Sequence, residues 1–89
     1  MVKYCSEIGA NGGEAMNAEV EKRIGQNIRA IREEKGMTQD RLAAKLQIRG
    51  CDITRSAVAK IEAGQRHLYP DELILIKEIL DVSYEELLK

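Results

Sequence analysis

Residues 38–64 read TQDRLAAKLQIRGCDITRSAVAKIEAG, and the fold turns on how this stretch is parsed. Thr38 suits the position before a helix, where a hydroxyl accepts from the first free backbone N–H groups. Leu42, Ala43 and Leu46 then supply a short apolar stripe at helical spacing. They predict a helix ending near Gln47 or Ile48. Gln47–Asp52 contains Gly50 and reads as a turn or loop. Thr54 caps a second short helix, with Val58 and Ile61 inward and Gly64 as its stop. Arg55, Ser56, Ala57 and Lys60 are left on its outer side.

Upstream, Val20, Ile24, Ile28 and Ile31 fall on one face of an amphipathic helix, and Gly36 follows as its stop. That helix is predicted over about 18–35. Downstream, Pro70 suits the first position of a helix, and Asp71 and Glu72 suit its dipole. The helix runs to about Leu80. Ser83-Tyr84-Glu85-Glu86 is a capping box that opens a last short helix through Leu87-Leu88-Lys89. The expectation is an all-α, five-helix domain over 18–89, with no strand. Residues 1–17, with Gly9, Gly12 and Gly13 and no sustained stripe, read as a disordered tail. A second reading makes them sequence upstream of a native start at Met16, because Gly12-Gly13-Glu14 can be encoded by a purine-rich ribosome-binding sequence.

A chain of 89 residues fits one domain. It has three Tyr but neither Phe nor Trp, so the core must be aliphatic. No apolar run approaches the roughly 18–20 residues of a membrane span. No apolar segment follows Met1–Lys3 as a secretory signal would require, so a cytoplasmic protein is expected. Two Cys are not a disulfide framework, and one His does not make a zinc site, so no metal or other cofactor is expected. No nucleophile–base arrangement is visible, and enzymatic activity is not expected.

The near-neutral total of −1 hides an uneven distribution. Residues 35–67 carry seven basic and three acidic side chains, whereas 71–89 carry two basic and six acidic. A basic middle is what a polyanion needs. The same pattern also describes a solvated surface with local salt bridges.

Two short helices with a connection between them, the second polar on its outer face, suggest a helix-turn-helix. In order along the chain, the residues that carry a family resemblance are Ile24–Arg32, Lys35–Gln39, Leu42-Ala43, Ser56–Gly64, Asp81-Val82-Ser83 and Glu86-Leu87-Leu88. The set resembles the Cro/repressor-type helix-turn-helix family, also called the Xre family, with a lambda-repressor-like fold. No single piece is diagnostic; the ordered set with these gaps is a strong signal.

The resemblance implies a DNA-binding domain, usually a dimeric transcriptional regulator, whose third helix enters the major groove. Carried over by position, Arg55, Ser56, Ala57 and Lys60 are candidates for base readout. Arg55 stands out because a guanidinium can bridge O6 and N7 of guanine. Thr38, Gln39, Arg49 and Arg66 are candidates for phosphate contact, with Arg41, Lys45 and His67 as weaker ones. Arg32 and Glu62 match a pair that forms a structural salt bridge in relatives.

Two features depart from the family pattern. The connection Gln47–Thr54 is about five residues longer than the usual turn, and Gln47 stands where a Gly is common. Ile48 or Ile53 is expected to fold back onto the core, because two exposed Ile in one loop would be costly. In the fourth helix, Leu73, Ile76 and Leu80 form one stripe, and Leu75 and Ile79 a second. The second stripe reads either as part of a homodimer interface or as a wider internal core. Cys51, in the loop before the third helix, is expected to be an inert thiol; the rival is a redox sensor, but no basic neighbour is evident.

The leading expectation is a sequence-specific, DNA-binding transcriptional regulator acting as a repressor-like homodimer on double-stranded DNA. The rival is a protein-interaction module on the same fold, such as an antitoxin or adaptor, docking a partner protein through the acidic segment 71–89.

Overall fold

Aliphatic stripes at helical spacing must bury against one another, and here they converge on a single centre. A computed structural model describes residues 11–89, with side chains from Ala18 onward. It contains α1 (Asn11–Glu34), α2 (Gln39–Ile48), α3 (Arg55–Glu62), α4 (Pro70–Leu80) and α5 (Tyr84–Leu88), and no strand among the described residues. Helix α1 packs on α3 and α5, while α2 packs on α3 and α4. The core is Ile24, Ile28 and Ile31 from α1, Leu42, Ala43 and Leu46 from α2, and Val58 and Ile61 from α3. Ile76, Leu80 and Leu87 complete it from α4 and α5, with Ile53 from the connection. Among the described residues no aromatic ring enters it. No helix among the described residues is long and apolar enough to cross a membrane.

The expected caps form. Thr38 and Thr54 each accept at 3.1 Å from the backbone N–H three residues on. Ser83 and Glu86 close their capping box reciprocally.

Helix α1 starts earlier than the sequence predicts. It runs back to Asn11, so residues 11–17, read as tail, are helical. The glycines there occupy the first turn, where their cost to a helix is least. Glu14, Ala15 and Met16 behind them are strong helix formers. Residues 1–10, the rest of the expected tail, lie outside the described residues. Val20, on the expected α1 stripe, is exposed.

The long α2–α3 connection closes tightly at its first turn. Cys51 N donates to Leu46 O at 2.9 Å and Gly50 N to Gln47 O at 3.0 Å, with Gly50 at φ +88°. This is a Schellman ending, and it requires the left-handed residue that glycine supplies without strain. Gln47 donates through Nε2 to Ile53 O at 2.7 Å and holds the far limb of the loop. Of the two loop isoleucines, Ile53 is buried at 2% exposure and Ile48 stands in solvent at 82%. In α4, Ile76 and Leu80 are buried. Leu73, Leu75 and Ile79 are half-buried against the same core.

Gly25 sets the distance between α1 and α3. A β-carbon there would lie 2.2 Å from Ile61 O and 3.0 Å from Glu62 O, both backbone atoms. Intrinsic helix propensity favours Ala over Gly by about 1 kcal/mol. Forced overpacking costs about 1–3 kcal/mol and more where backbone must shift. The clash wins. Gly25→Ala is expected to lower stability by about 1–2 kcal/mol net, read from the urea midpoint; a stabilised variant would mean that α1 and α3 do not approach this closely.

Candidate nucleic-acid interface

A recognition element must be held rigidly from behind while its front stays open. Helix α3 has only eight residues, too short to be stable alone. Its inner face is secured in three ways: Val58 and Ile61 enter the core, Gly25 admits its C-terminal backbone against α1, and Glu62 is buried in an ion pair.

The Glu62 carboxylate accepts from Arg32 Nε at 2.7 Å and Nη2 at 3.1 Å. Gln39 Nε2 adds a third donor at 3.0 Å. Arg32 Nη1 donates to Met37 O at 2.7 Å. One buried cluster thus joins α1, the α1–α2 turn, the start of α2 and the end of α3. Its hydrogen bond with Glu62 holds the Arg32 guanidinium above its usual range, outweighing the opposite effect of burial. No buried side-chain polar atom among the described residues lacks a partner. Gln39, expected to touch phosphate, spends one amide donor on Glu62.

On the open side, Arg55, Ser56 and Lys60 are exposed. Ala57 differs from the expectation of an outward residue. It is half-buried and packs against the core, because it lies one turn before Ile61 on nearly the same face. Arg55 Nε lies 3.8 Å from Asp40 Oδ1 of α2. Arg29, Arg32, Thr38, Gln39, Asp40 and Arg55 line one open groove of about 460 Å³ between the starts of α2 and α3. Sequence reasoning does not single out Arg29 or Asp40; Asp40 stands just after the Thr38 cap, whereas Arg29, in the middle of α1, offers no local signal.

Two arginines proposed for phosphate are engaged inside the domain. Arg49 pairs with Glu78 of α4. Arg66 forms a two-pronged pair with Glu72, both bonds 2.9 Å, and donates to His67 O. Glu72 also accepts from Tyr69 N at 3.1 Å. Burial pushes the Glu72 carboxyl up, but the Arg66 guanidinium and the Tyr69 N–H outweigh it and hold the carboxyl below its ordinary range. His67 Nδ1 lies 2.9 Å from Glu21 Oε1, and Glu21 Oε2 accepts from Leu68 N at 3.1 Å. The α3–α4 connection is therefore tied to α1 on one side and to α4 on the other. Asn27 Nδ2 donates to Leu87 O at 2.8 Å and fastens α5. Nothing in the sequence pairs Glu21 or Asn27 with partners so far along the chain.

Cys51 is a half-buried free thiol. Burial first, then the carboxylates of Glu72 and Asp71, push its pKa up, which opposes a reactive thiolate.

A family model described as helix-turn-helix matches residues 28–87. The chain belongs to the Cro/repressor-type helix-turn-helix family. Its structure is similar to the crystal structure of the DNA-binding domain of BldD. The two share 26% sequence identity at a TM-score of 0.68, over 81% of this chain and 97% of that one. No curated protein matches the sequence.

Glu62→Gln leaves Arg32 buried without its counter-charge. It is expected to cost about 3–5 kcal/mol, read by urea unfolding; a loss below about 1 kcal/mol would show that the pair does not hold α3. Glu72 gives a pH signature. Its folded pKa lies below the unfolded value of about 4.3, so its contribution is complete above that value and disappears as pH falls through the lowered one. The stability gap between the natural chain and Glu72→Gln should therefore be full at pH 7 and shrink toward pH 3. A gap independent of pH would refute the pairing.

Proposed function

We propose that this protein is a sequence-specific DNA-binding regulator that acts in the cytoplasm as a repressor-like homodimer, with α3 in the major groove. The observation that carries the reading is the orientation of α3. Its inner face is fixed by Val58, Ile61 and Glu62, while Arg55, Ser56 and Lys60 stand exposed on the other side. The DNA-binding domain named for the similar structure supports the same target.

In this reading Arg55 reads a guanine edge, and Ser56 and Lys60 contact neighbouring bases or phosphates. Ala57 contributes at most a methyl contact from the shoulder of the helix. Thr38 and Gln39 lie at the start of α2, where its dipole favours a phosphate. Arg49 and Arg66 serve phosphates only by loosening their pairs with Glu78 and Glu72. The exposed Arg49–Glu78 pair can exchange, since such pairs contribute little to stability. The half-buried Arg66–Glu72 pair is the poorer candidate.

A single eight-residue helix makes too few contacts for tight binding at physiological salt. A second copy supplies the rest, with α4 as the proposed contact. Leu75 and Ile79 are half-exposed at its edge, and Ile74 is exposed beside them.

The test is selection of genomic DNA fragments by the purified protein at two salt concentrations, with Arg55→Ala alongside. The expected product is a two-fold-related site with half-sites about one helical turn apart. Arg55→Ala should lose about 1–3 kcal/mol of discrimination at one base pair. Absence of enrichment at both salts, with the protein folded, would refute the reading and direct attention to a partner protein for the acidic α4–α5 segment.

A further inference from the structure

Asp40 stands where a DNA-facing surface gains least from a negative charge. It is the second residue of α2, and Arg55 is the first of α3. The two side chains are 78% and 65% exposed, and Asp40 Oδ1 lies 3.8 Å from Arg55 Nε. Both line the same open groove. Residues 35–67 contain only three acids, Asp40, Asp52 and Glu62. Glu62 is buried against Arg32, so Asp40 is the acid that shares the groove with Arg55.

An exposed pair at this distance contributes little to folding. A carboxylate beside incoming DNA also repels phosphate. Its benefit must therefore lie in what it does to Arg55. Arginine has five N–H donors arranged around a plane, and its long stem adopts many rotamers. At 3.8 Å the carboxylate attracts the guanidinium on its Nε side without a hydrogen bond, which narrows those rotamers and leaves the terminal Nη1–Nη2 fork uncommitted. Guanine offers two acceptors, O6 and N7, to such a fork.

We propose that Asp40 is a specificity-determining residue that acts through Arg55. It orients the guanidinium so that its terminal fork meets guanine, and its charge weakens binding to DNA that offers no guanine there. This rests on the reading of Arg55 as a base-contacting residue.

The test compares the full chain with Asp40→Asn, Arg55→Ala and the double variant. Each competes for duplexes varied at the selected site and for random-sequence duplex, and circular dichroism checks folding. With Arg55 present, Asp40→Asn should bind random duplex about two- to threefold more tightly. Its preference for guanine at the Arg55-dependent position should fall about five- to tenfold. In the Arg55→Ala background the same change should leave base preference unaltered.

An unchanged preference in Asp40→Asn, with Arg55→Ala still abolishing it, would overturn the role of Asp40 alone. A changed preference in the Arg55→Ala background would also overturn it, since Asp40 would then be reading a base directly. If Arg55→Ala keeps the full preference, the readout assigned to Arg55 fails and the proposal falls with it.

Discussion

The ion pair of Arg32 with Glu62 is the contact on which the rest of the domain is arranged. The two side chains are 7% and 3% exposed, and their bonds use Nε and Nη2 against both carboxylate oxygens. Taking two charges out of water is expensive, and a buried pair often does no better than a well-packed apolar one in net stability. What it supplies is geometry. A carboxylate with three donors, two from Arg32 and one from Gln39, has one low-energy placement. Because Glu62 closes α3, that placement fixes the roll of the helix and so the direction in which Arg55 and Lys60 project. Arg32 extends the constraint to the α1–α2 turn through Met37 O.

The long α2–α3 connection shows how such a domain absorbs extra residues. The Schellman ending at Gly50 stops α2 cleanly. Gln47 then crosses to Ile53 O, and the Ile53 side chain plugs into the core. The insertion is pinned at both limbs, and α3 starts from a fixed point at Thr54. Arg49, at the outer edge, leans on α4 through Glu78. The cost is one stranded side chain, Ile48, since its neighbours Leu46 and Ile53 already fill the space inside.

Most of the helical framework is legible in the chain, because it is written in local signals. Thr38, Thr54 and Ser83 mark starts, Gly36 and Gly64 mark stops, and Pro70 opens α4; each acts within a turn of itself. The Arg32–Glu62 juxtaposition follows from the family resemblance rather than from spacing. What is not legible depends on distance in the chain. That Arg49 and Arg66 pair with Glu78 and Glu72 cannot be read from the sequence. Composition cannot tell an arginine that meets solvent from one that braces a loop. Ala57 is half-buried because it lies one turn before Ile61, on the same side of the helix. The early start of α1 was hidden by glycines that sit where a helix tolerates them. Gly25 gave no warning at all, since a lone glycine in a helix is silent about what lies against it.

Gly25 also bears on which positions of this chain can vary. It brings α1 and α3 together main chain to main chain, and a contact of that kind contains no side chain that mutation can reshape. The angle at which α3 is offered is thus insulated from substitutions on its outer surface. Arg55, Ser56 and Lys60 can be exchanged for other residues without tilting the helix that bears them. The outer surface can change by single steps, and the scaffold need not be rebuilt each time. The cost is an intolerant position thirty residues upstream of Arg55, beside the equally constrained Arg32 and Glu62.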